Sequence, residues 1–196
     1  MAGGGASRYG GVPKGLLEVA GRRILDRVVD ALRSATGQLP ILIANAPDAV
    51  RWRPDLAVHP DVVQGCGALG GILTAVEAAG PVLCVAWDMP FVSAPLLAAL
   101  AALLADADVA VPESGSRRGI EPLCAAYGPA CAPAIHAALG RKDVRAVAFH
   151  ADVRVARLPR ETVLQYGDPG ILFFNVNTPD DLARAEVLCR TRDSYP

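Results

Sequence analysis

The run Val82-Leu83-Cys84-Val85-Ala86-Trp87 constrains this chain more than any other stretch. It is uninterrupted and apolar, with Gly80-Pro81 before it and Asp88-Met89-Pro90-Phe91 directly after it. A short apolar run bounded by turn signals fits a strand buried on both faces. Such strands belong to parallel sheets, which need crossover connections and helices to cover them. Pro40–Ala44 and Asp108–Pro112 are runs of the same kind. Helical spacing lies around and between them. Ile24, Leu25, Val28, Val29 and Leu32 form one stripe that runs to about Ala35 and ends at Gly37, and Ile72–Ala79 forms a second helix. Ala94–Ala105 is a third, carrying Leu96, Leu97, Leu100, Leu103 and Leu104. Alternating strands and helices predict an α/β fold with a mostly parallel sheet.

The second half is less regular. A strand is expected over Glu121–Tyr127, a helix over Ala130–Leu139, a short helix over Val144–His150 and an edge strand over Val153–Leu158. Ile171–Phe174 reads as a short strand leading into Asn175-Val176-Asn177-Thr178-Pro179-Asp180-Asp181. There Thr178 fits an N-cap, Pro179 the first helical position and the two aspartates the first turn of a final helix ending near Cys189. No repeat or long linker divides the chain, and 196 residues suffice for one domain with a full core.

With 52% apolar and 20% charged residues the chain is globular rather than disordered, and a net charge of −1 gives no overall field to attract nucleic acid. Any anionic ligand must therefore be held by local groups. The five cysteines, Cys66, Cys84, Cys124, Cys131 and Cys189, are odd in number and form no C-x-x-C pair, which argues against a disulfide framework or a zinc site. They read as free thiols of a reducing compartment. No apolar run reaches membrane-spanning length and no signal peptide is evident, so a soluble, cytoplasmic protein without membrane or nucleic-acid partners is expected.

Residues 2–14, Ala-Gly-Gly-Gly-Ala-Ser-Arg-Tyr-Gly-Gly-Val-Pro-Lys, are rich in glycine and place Arg8 and Lys14 six positions apart. Glycine lets backbone N–H groups approach an anion closely, and the two cations suit phosphate oxygens. A polyphosphate-binding loop and a flexible terminus both fit that composition. The segment is not a Walker A loop, since no Ser or Thr follows Gly-Lys, and no strand precedes it as a dinucleotide fingerprint requires. In open α/β sheets ligands gather at the carboxyl ends of parallel strands. The polar residues at those ends are Asn45, Asp61, Asp88, Asn175 and Asn177, although each could equally be a turn or cap residue. A phosphate loop, a carboxylate at a strand end and cations are what a metal-assisted phosphoryl or nucleotidyl transfer needs, because such chemistry rests on positioning and charge neutralisation. His59, His136 and His150 are scattered, and no nucleophilic triad is suggested.

Five stretches resemble one family. Ala2-Gly3-Gly4-x-x-Ser7-Arg8-x-Gly10-x-x-x-Lys14, Gly67-Ala68-Leu69-Gly70-Gly71-Ile72, Trp87-Asp88-Met89-Pro90-Phe91, Glu121-Pro122-Leu123-Cys124-Ala125-Ala126-Tyr127 and Phe174-Asn175-Val176-Asn177-Thr178-Pro179-Asp180-Asp181-Leu182 follow, in order, the motifs of the MobA-like nucleotidyltransferases. The resemblance implies a single-domain, three-layer, Rossmann-like nucleotidyltransferase fold over residues 1–196. Residues 1–112 would be a nucleotide-binding half and 113–196 an acceptor-side half. It implies a molybdenum cofactor guanylyltransferase, which transfers GMP from GTP to molybdopterin and releases pyrophosphate. GTP would be held by Ala2, Gly3, Gly4, Lys14, Asn45, Asp61 and Asp88. Asp88 would also hold Mg²⁺. Arg8 and Lys14 would stabilise the leaving pyrophosphate, and Asn175 and Asn177 would face the acceptor. Molybdenum-insertion proteins or molybdoenzyme chaperones are the protein partners it suggests. A related cytidylyltransferase and a non-catalytic nucleotide-binding regulatory domain are the alternatives; Ala2-Gly3-Gly4 favours guanine over cytosine, and Asp88 and Lys14 favour catalysis. The sequence departs from the motifs at Met1, Tyr9 and Ala68, where the family has Leu, Met and Pro. The central strand that precedes the loop in the family has no counterpart, so a chain start upstream of Met1 is expected.

Overall fold

A computed structural model describes residues 12–193. Helix α1 (Ile24–Thr36) forms where the sequence stripe lies: Ile24, Leu25, Val28, Val29 and Leu32 are all buried. It stops at Gly37, whose φ of 72° closes the last turn by donating its N–H to the Arg33 carbonyl. A small antiparallel pair, β1 (Glu18–Val19) and β2 (Arg22–Arg23), precedes α1. Beyond it β3 (Leu42–Ile43) pairs in parallel with β4 (Val58–His59).

The main sheet has the order β5 (Val82–Val85), β7 (Cys124–Tyr127), β6 (Val109–Pro112), β8 (Val155–Leu158). β7 is antiparallel to both neighbours and β8 is parallel to β6, so three strands share one direction and β7 alone is reversed. Successive residues of these strands face opposite layers. Val85, Ala110, Cys124 and Ala126 join α1, α3 (Ala94–Leu103) and α7 (Pro179–Asp193) in one core. Cys84, Val109, Val111, Ala125 and Tyr127 join α2 (Gly67–Ala79) and α4 (Cys131–Gly140) in the other. The result is the expected three-layer α/β arrangement, with the sheet between two helical layers. A third cluster of Leu25, Val29, Leu42, Trp52, Leu56 and Trp87 ties α1 to β3, and Trp52 stacks on Trp87 with centroids 5.0 Å apart.

β3 and β5 belong to separate sheets, and a cavity of about 240 Å³ lined by Ile41, Ile43, Leu83 and Val85 lies between them.

Several expected elements change. Ile171–Phe174 is not a strand. α6 (Pro169–Leu172) takes its first half because Asp168 accepts a hydrogen bond from the Gly170 N–H at 2.8 Å and Pro169 occupies the first helical position. α2 begins at Gly67, five residues before Ile72, with two glycines inside it. Gly70 is needed there, since a Cβ would lie 2.9 Å from the Val63 carbonyl oxygen. Residues 146–149 form turns where a helix is expected over 144–150, and a 3₁₀ turn follows over His150–Asp152. A short helix α5 (Arg160–Val163) follows β8. All five cysteines are free thiols, as the sequence predicts. No helix among the described residues is long and apolar enough to cross a membrane.

Candidate active site

Asp88 follows β5 at its carboxyl end, where Trp87 leaves the strand. Gly15 packs closely against the Trp87 ring; a Cβ there would stand 2.4 Å from a ring carbon. That contact aims Lys14 at the strand end. Its Nζ lies 3.9 Å from Asp88 Oδ2 and donates a 2.7 Å hydrogen bond to Asn177 Oδ1. Both charged side chains are only 14% exposed, so their attraction is screened less than on an open surface. The third member arrives from the C-terminal end of the chain. The Val176 N–H donates to the Asp88 carbonyl at 2.9 Å, which fixes the Asn175–Asn177 segment against the strand end. Asp181 then accepts from the Asn177 and Thr178 N–H groups at 3.0 and 2.8 Å, while Thr178 Oγ1 accepts from the Asp181 N–H at 3.2 Å. This reciprocal cap starts α7 and holds Asn177 in place.

Burial raises the Asp88 carboxyl above its ordinary range, and Lys14 opposes that rise. No described side chain donates a hydrogen bond to the Asp88 carboxylate, whose ion-pair partner among the described residues is Lys14. Its oxygens are therefore available as hard ligands, the chemistry that Mg²⁺ prefers. Among the described residues no three His, Cys, Asp or Glu side chains converge as a ready-made cage. A divalent ion here would need oxygens from a ligand and water in addition to Asp88.

Asn45 and Asp61 form a second constellation. Asn45 follows β3 and Asp61 follows β4. Asn45 Nδ2 donates to Asp61 Oδ2 and Asn45 Oδ1 accepts from the Asp61 N–H, both at 2.8 Å. The Val62 N–H donates to Thr74 Oγ1 at 3.0 Å, so the start of the glycine-rich loop is fastened to α2. Of the residues predicted from sequence, Lys14, Asp88 and Asn177 thus meet directly. Asn45 and Asp61 meet each other. Asn175 lies two residues from Asn177 and donates to the Phe173 carbonyl at 2.9 Å. Ala2, Gly3, Gly4 and Arg8 lie outside the described residues.

One residue escapes the sequence reading. Glu121 is expected there only as the start of a strand, yet it precedes β7 and lies half-buried in the walls of two pockets. Its carboxyl is pushed up to about 6 by burial and, less, by the Asp88 carboxylate, while Arg118 and a hydrogen bond from the Leu123 N–H pull it back. A carboxylate set immediately before Pro122 in an otherwise apolar stretch is the signal that could have found it.

Comparison with known proteins identifies the family. A molybdenum cofactor guanylyltransferase of Desulfosudis oleivorans is 34% identical over 194 residues, covering 95% of this chain and 92% of that protein. A probable molybdenum cofactor guanylyltransferase of Pelotomaculum thermopropionicum is 35% identical over 187 residues, 94% of this chain and 89% of that one. The crystal structure of molybdopterin-guanine dinucleotide biosynthesis protein A from Archaeoglobus fulgidus superposes with a TM-score of 0.81 at 26% identity, covering 97% of this chain and 96% of that one. Residues 1–155 match the family described as the MobA-like NTP transferase domain. With that match over most of its length, and relatives of this similarity along nearly all of it, the chain belongs to the MobA-like NTP transferases.

Proposed function

We propose that the protein is a molybdenum cofactor guanylyltransferase, which joins GMP from GTP to the terminal phosphate of molybdopterin and releases pyrophosphate. One observation carries the reading: Lys14, Asp88 and Asn177, from three distant parts of the chain, meet at the carboxyl end of β5. The relatives named guanylyltransferases, aligned along nearly the whole chain, support the choice of nucleotide and acceptor.

In this reading an oxygen of the acceptor phosphate attacks the α-phosphorus of GTP in line. The new P–O bond forms as the bond to the α–β bridging oxygen breaks, and the electron pair leaves with pyrophosphate. The attacking phosphate is already ionised, so no residue has to serve as general base. Lys14 and Arg8 neutralise the charge that grows on the leaving group. Asn177 holds the Lys14 ammonium in position by its 2.7 Å hydrogen bond and lies toward the acceptor with Asn175. The Asn45–Asp61 pair and the backbone of residues 2–4 hold the nucleotide. Asp88 would hold Mg²⁺, which when bound supplies charge neutralisation between the phosphates.

The test is turnover with molybdopterin and each of GTP, CTP, ATP and UTP in the presence of Mg²⁺. Product with GTP, at a kcat/KM at least roughly tenfold above that with CTP, is expected; a factor of ten corresponds to about 1.4 kcal/mol of discrimination. Preferential use of CTP would assign the chain to cytidylyl transfer, and binding without turnover of any nucleotide would make it a regulatory domain.

A further inference from the structure

Beside the Asp88 end of the sheet lies a pocket of about 410 Å³ whose wall includes Ser116, Glu121, Arg160, Asp168, Phe174 and Asn175. Glu121 and Ser116 also line a second pocket of about 570 Å³, with Arg117 and Arg118. Cavities of this size suit a small organic ligand. Most of the polar groups in these walls already have partners. Asp168 accepts from the Gly170 N–H, Asn175 Nδ2 donates to the Phe173 carbonyl, and the Ser114 and Ser116 hydroxyls bond each other at 2.8 Å, with Ser116 donating to the Ile120 carbonyl at 3.1 Å. The Glu121 carboxylate is different. It accepts a hydrogen bond from the Leu123 backbone N–H but from no side chain among the described residues, although it is half-buried and close enough to Asp88 to be repelled by it.

One backbone N–H leaves most acceptor positions of this half-buried carboxylate unfilled, and a ligand can fill them. Its two oxygens match two parallel N–H groups, as in a carboxylate–guanidinium fork. The exposed guanidinium groups of Arg118 and Arg160 at the rim suit an anionic part of the same ligand, but they do not explain a carboxylate in the wall. A 2-amino-4-oxopyrimidine edge, with its ring N–H and exocyclic amine side by side, offers two donors for the positions that the Leu123 N–H leaves open. A pterin and a guanine both present that edge. The position of Glu121 decides between them. It shares a pocket wall with Asn175, and that wall includes neither Asn45 nor Asp61, which bond each other elsewhere.

We propose that Glu121 recognises the acceptor by accepting the paired N–H donors of its pterin ring, with Arg118 and Arg160 flanking the entrance. Glu121 is thus a specificity residue for the acceptor. The proposal rests on the reading that molybdopterin is that acceptor.

The experiment compares wild type, Glu121→Gln and Glu121→Asp in two measurements. One is steady-state turnover with GTP, Mg²⁺ and molybdopterin; the other is direct binding of molybdopterin without nucleotide, followed by pterin fluorescence. Glu121→Gln replaces one acceptor by a donor facing a donor. It is expected to raise the KM for molybdopterin, and to weaken its direct binding, by about 10- to 100-fold. The KM for GTP should stay within about twofold, since the bidentate contact is absent from the nucleotide. Glu121→Asp keeps the charge and should fall between the two, which keeps the test informative if the glutamine variant does not fold. Unchanged molybdopterin binding in both variants would overturn the proposal. So would a rise confined to the KM for GTP, which would give the carboxylate to guanine. If wild type binds molybdopterin through Glu121 but transfers no nucleotide to it, the guanylyltransferase reading fails and the pterin site stands. If wild type binds no molybdopterin, the site fails.

Discussion

Lys14 and Asp88 could be named from the sequence because each has a chemical reason to be where it is: a cation at the end of a glycine-rich loop, and a carboxylate after a fully apolar strand. Their relation to Asn177 could not, because 163 positions separate Asn177 from Lys14 and only the folded chain joins them. Glu121 was hidden for another reason. Its position before Pro122 marks it, but its raised carboxyl comes from burial and from neighbouring charges that only the fold brings together. His150 shows the same dependence on surroundings. The sequence reads it as an ordinary histidine; in the fold its Nε2 is buried without a partner, its ring meets Phe149 edge-on, and burial followed by Arg157 lowers it from 6.5 to about 4. The unfolded chain takes up that proton near pH 6.5 and the folded chain only near pH 4, so between these values the unfolded state binds more protons. Stability should therefore be complete above pH 6.5 and decline as pH falls toward 4, by on the order of 2 kcal/mol once solvent screening of this half-buried ring is allowed for. Urea midpoints at pH 7 and pH 5 measure it. His150→Gln should reduce the difference between the two midpoints; an unchanged difference would show that His150 does not cause it.

At the scale of elements, the first half of the chain was legible because its strands and helices carry strong and different periodicities. α1 ends at Gly37 as its stripe predicts. Strand direction was not legible, since an apolar alternation is the same read either way, and the reversed β7 emerges only from pairing. Ile171 and Leu172 went to α6 because a cap and a proline outweigh a short apolar run. α2 shows how an element serves the site. Its Gly70 lets the 61–66 loop approach closely, and the same loop carries Asp61 to Asn45. In Gly70→Ala the new methyl would sit 2.9 Å from the Val63 carbonyl oxygen and 3.1 Å from Cys66 Cβ. Backbone on one side leaves little room to yield, so a loss of about 1–3 kcal/mol is expected. The displaced loop should also raise the KM for GTP by roughly tenfold, the effect of losing about 1.4 kcal/mol of binding. Thermal unfolding and GTP kinetics check the two effects. A variant with normal stability and normal KM would mean that the loop does not depend on this close approach.

Across the whole molecule, the sheet separates two helical layers and delivers its polar residues to strand ends. Cores on both faces hold β5 rigidly, so Asp88 at its end is fixed by Trp87, Met89 and the Val176 N–H and not by a free loop. Lys14, the carboxyl end of β5 and the Asn-x-Asn segment converge there. That convergence is the structural basis for reading the protein as a nucleotidyltransferase, and it makes Asp88 the residue whose loss should separate catalysis from folding. The decisive measurement is the rate of GMP transfer from GTP to molybdopterin by wild type and by Asp88→Asn at saturating Mg²⁺, with thermal unfolding of both. Removing the carboxylate charge while keeping its shape should lower the rate at least roughly 100-fold, the scale of losing one charge-stabilising group in a polar transition state. The unfolding temperature should not fall, because burial of the charged carboxylate is itself unfavourable. Near-normal transfer by Asp88→Asn would contradict the assignment of the reaction to this strand end.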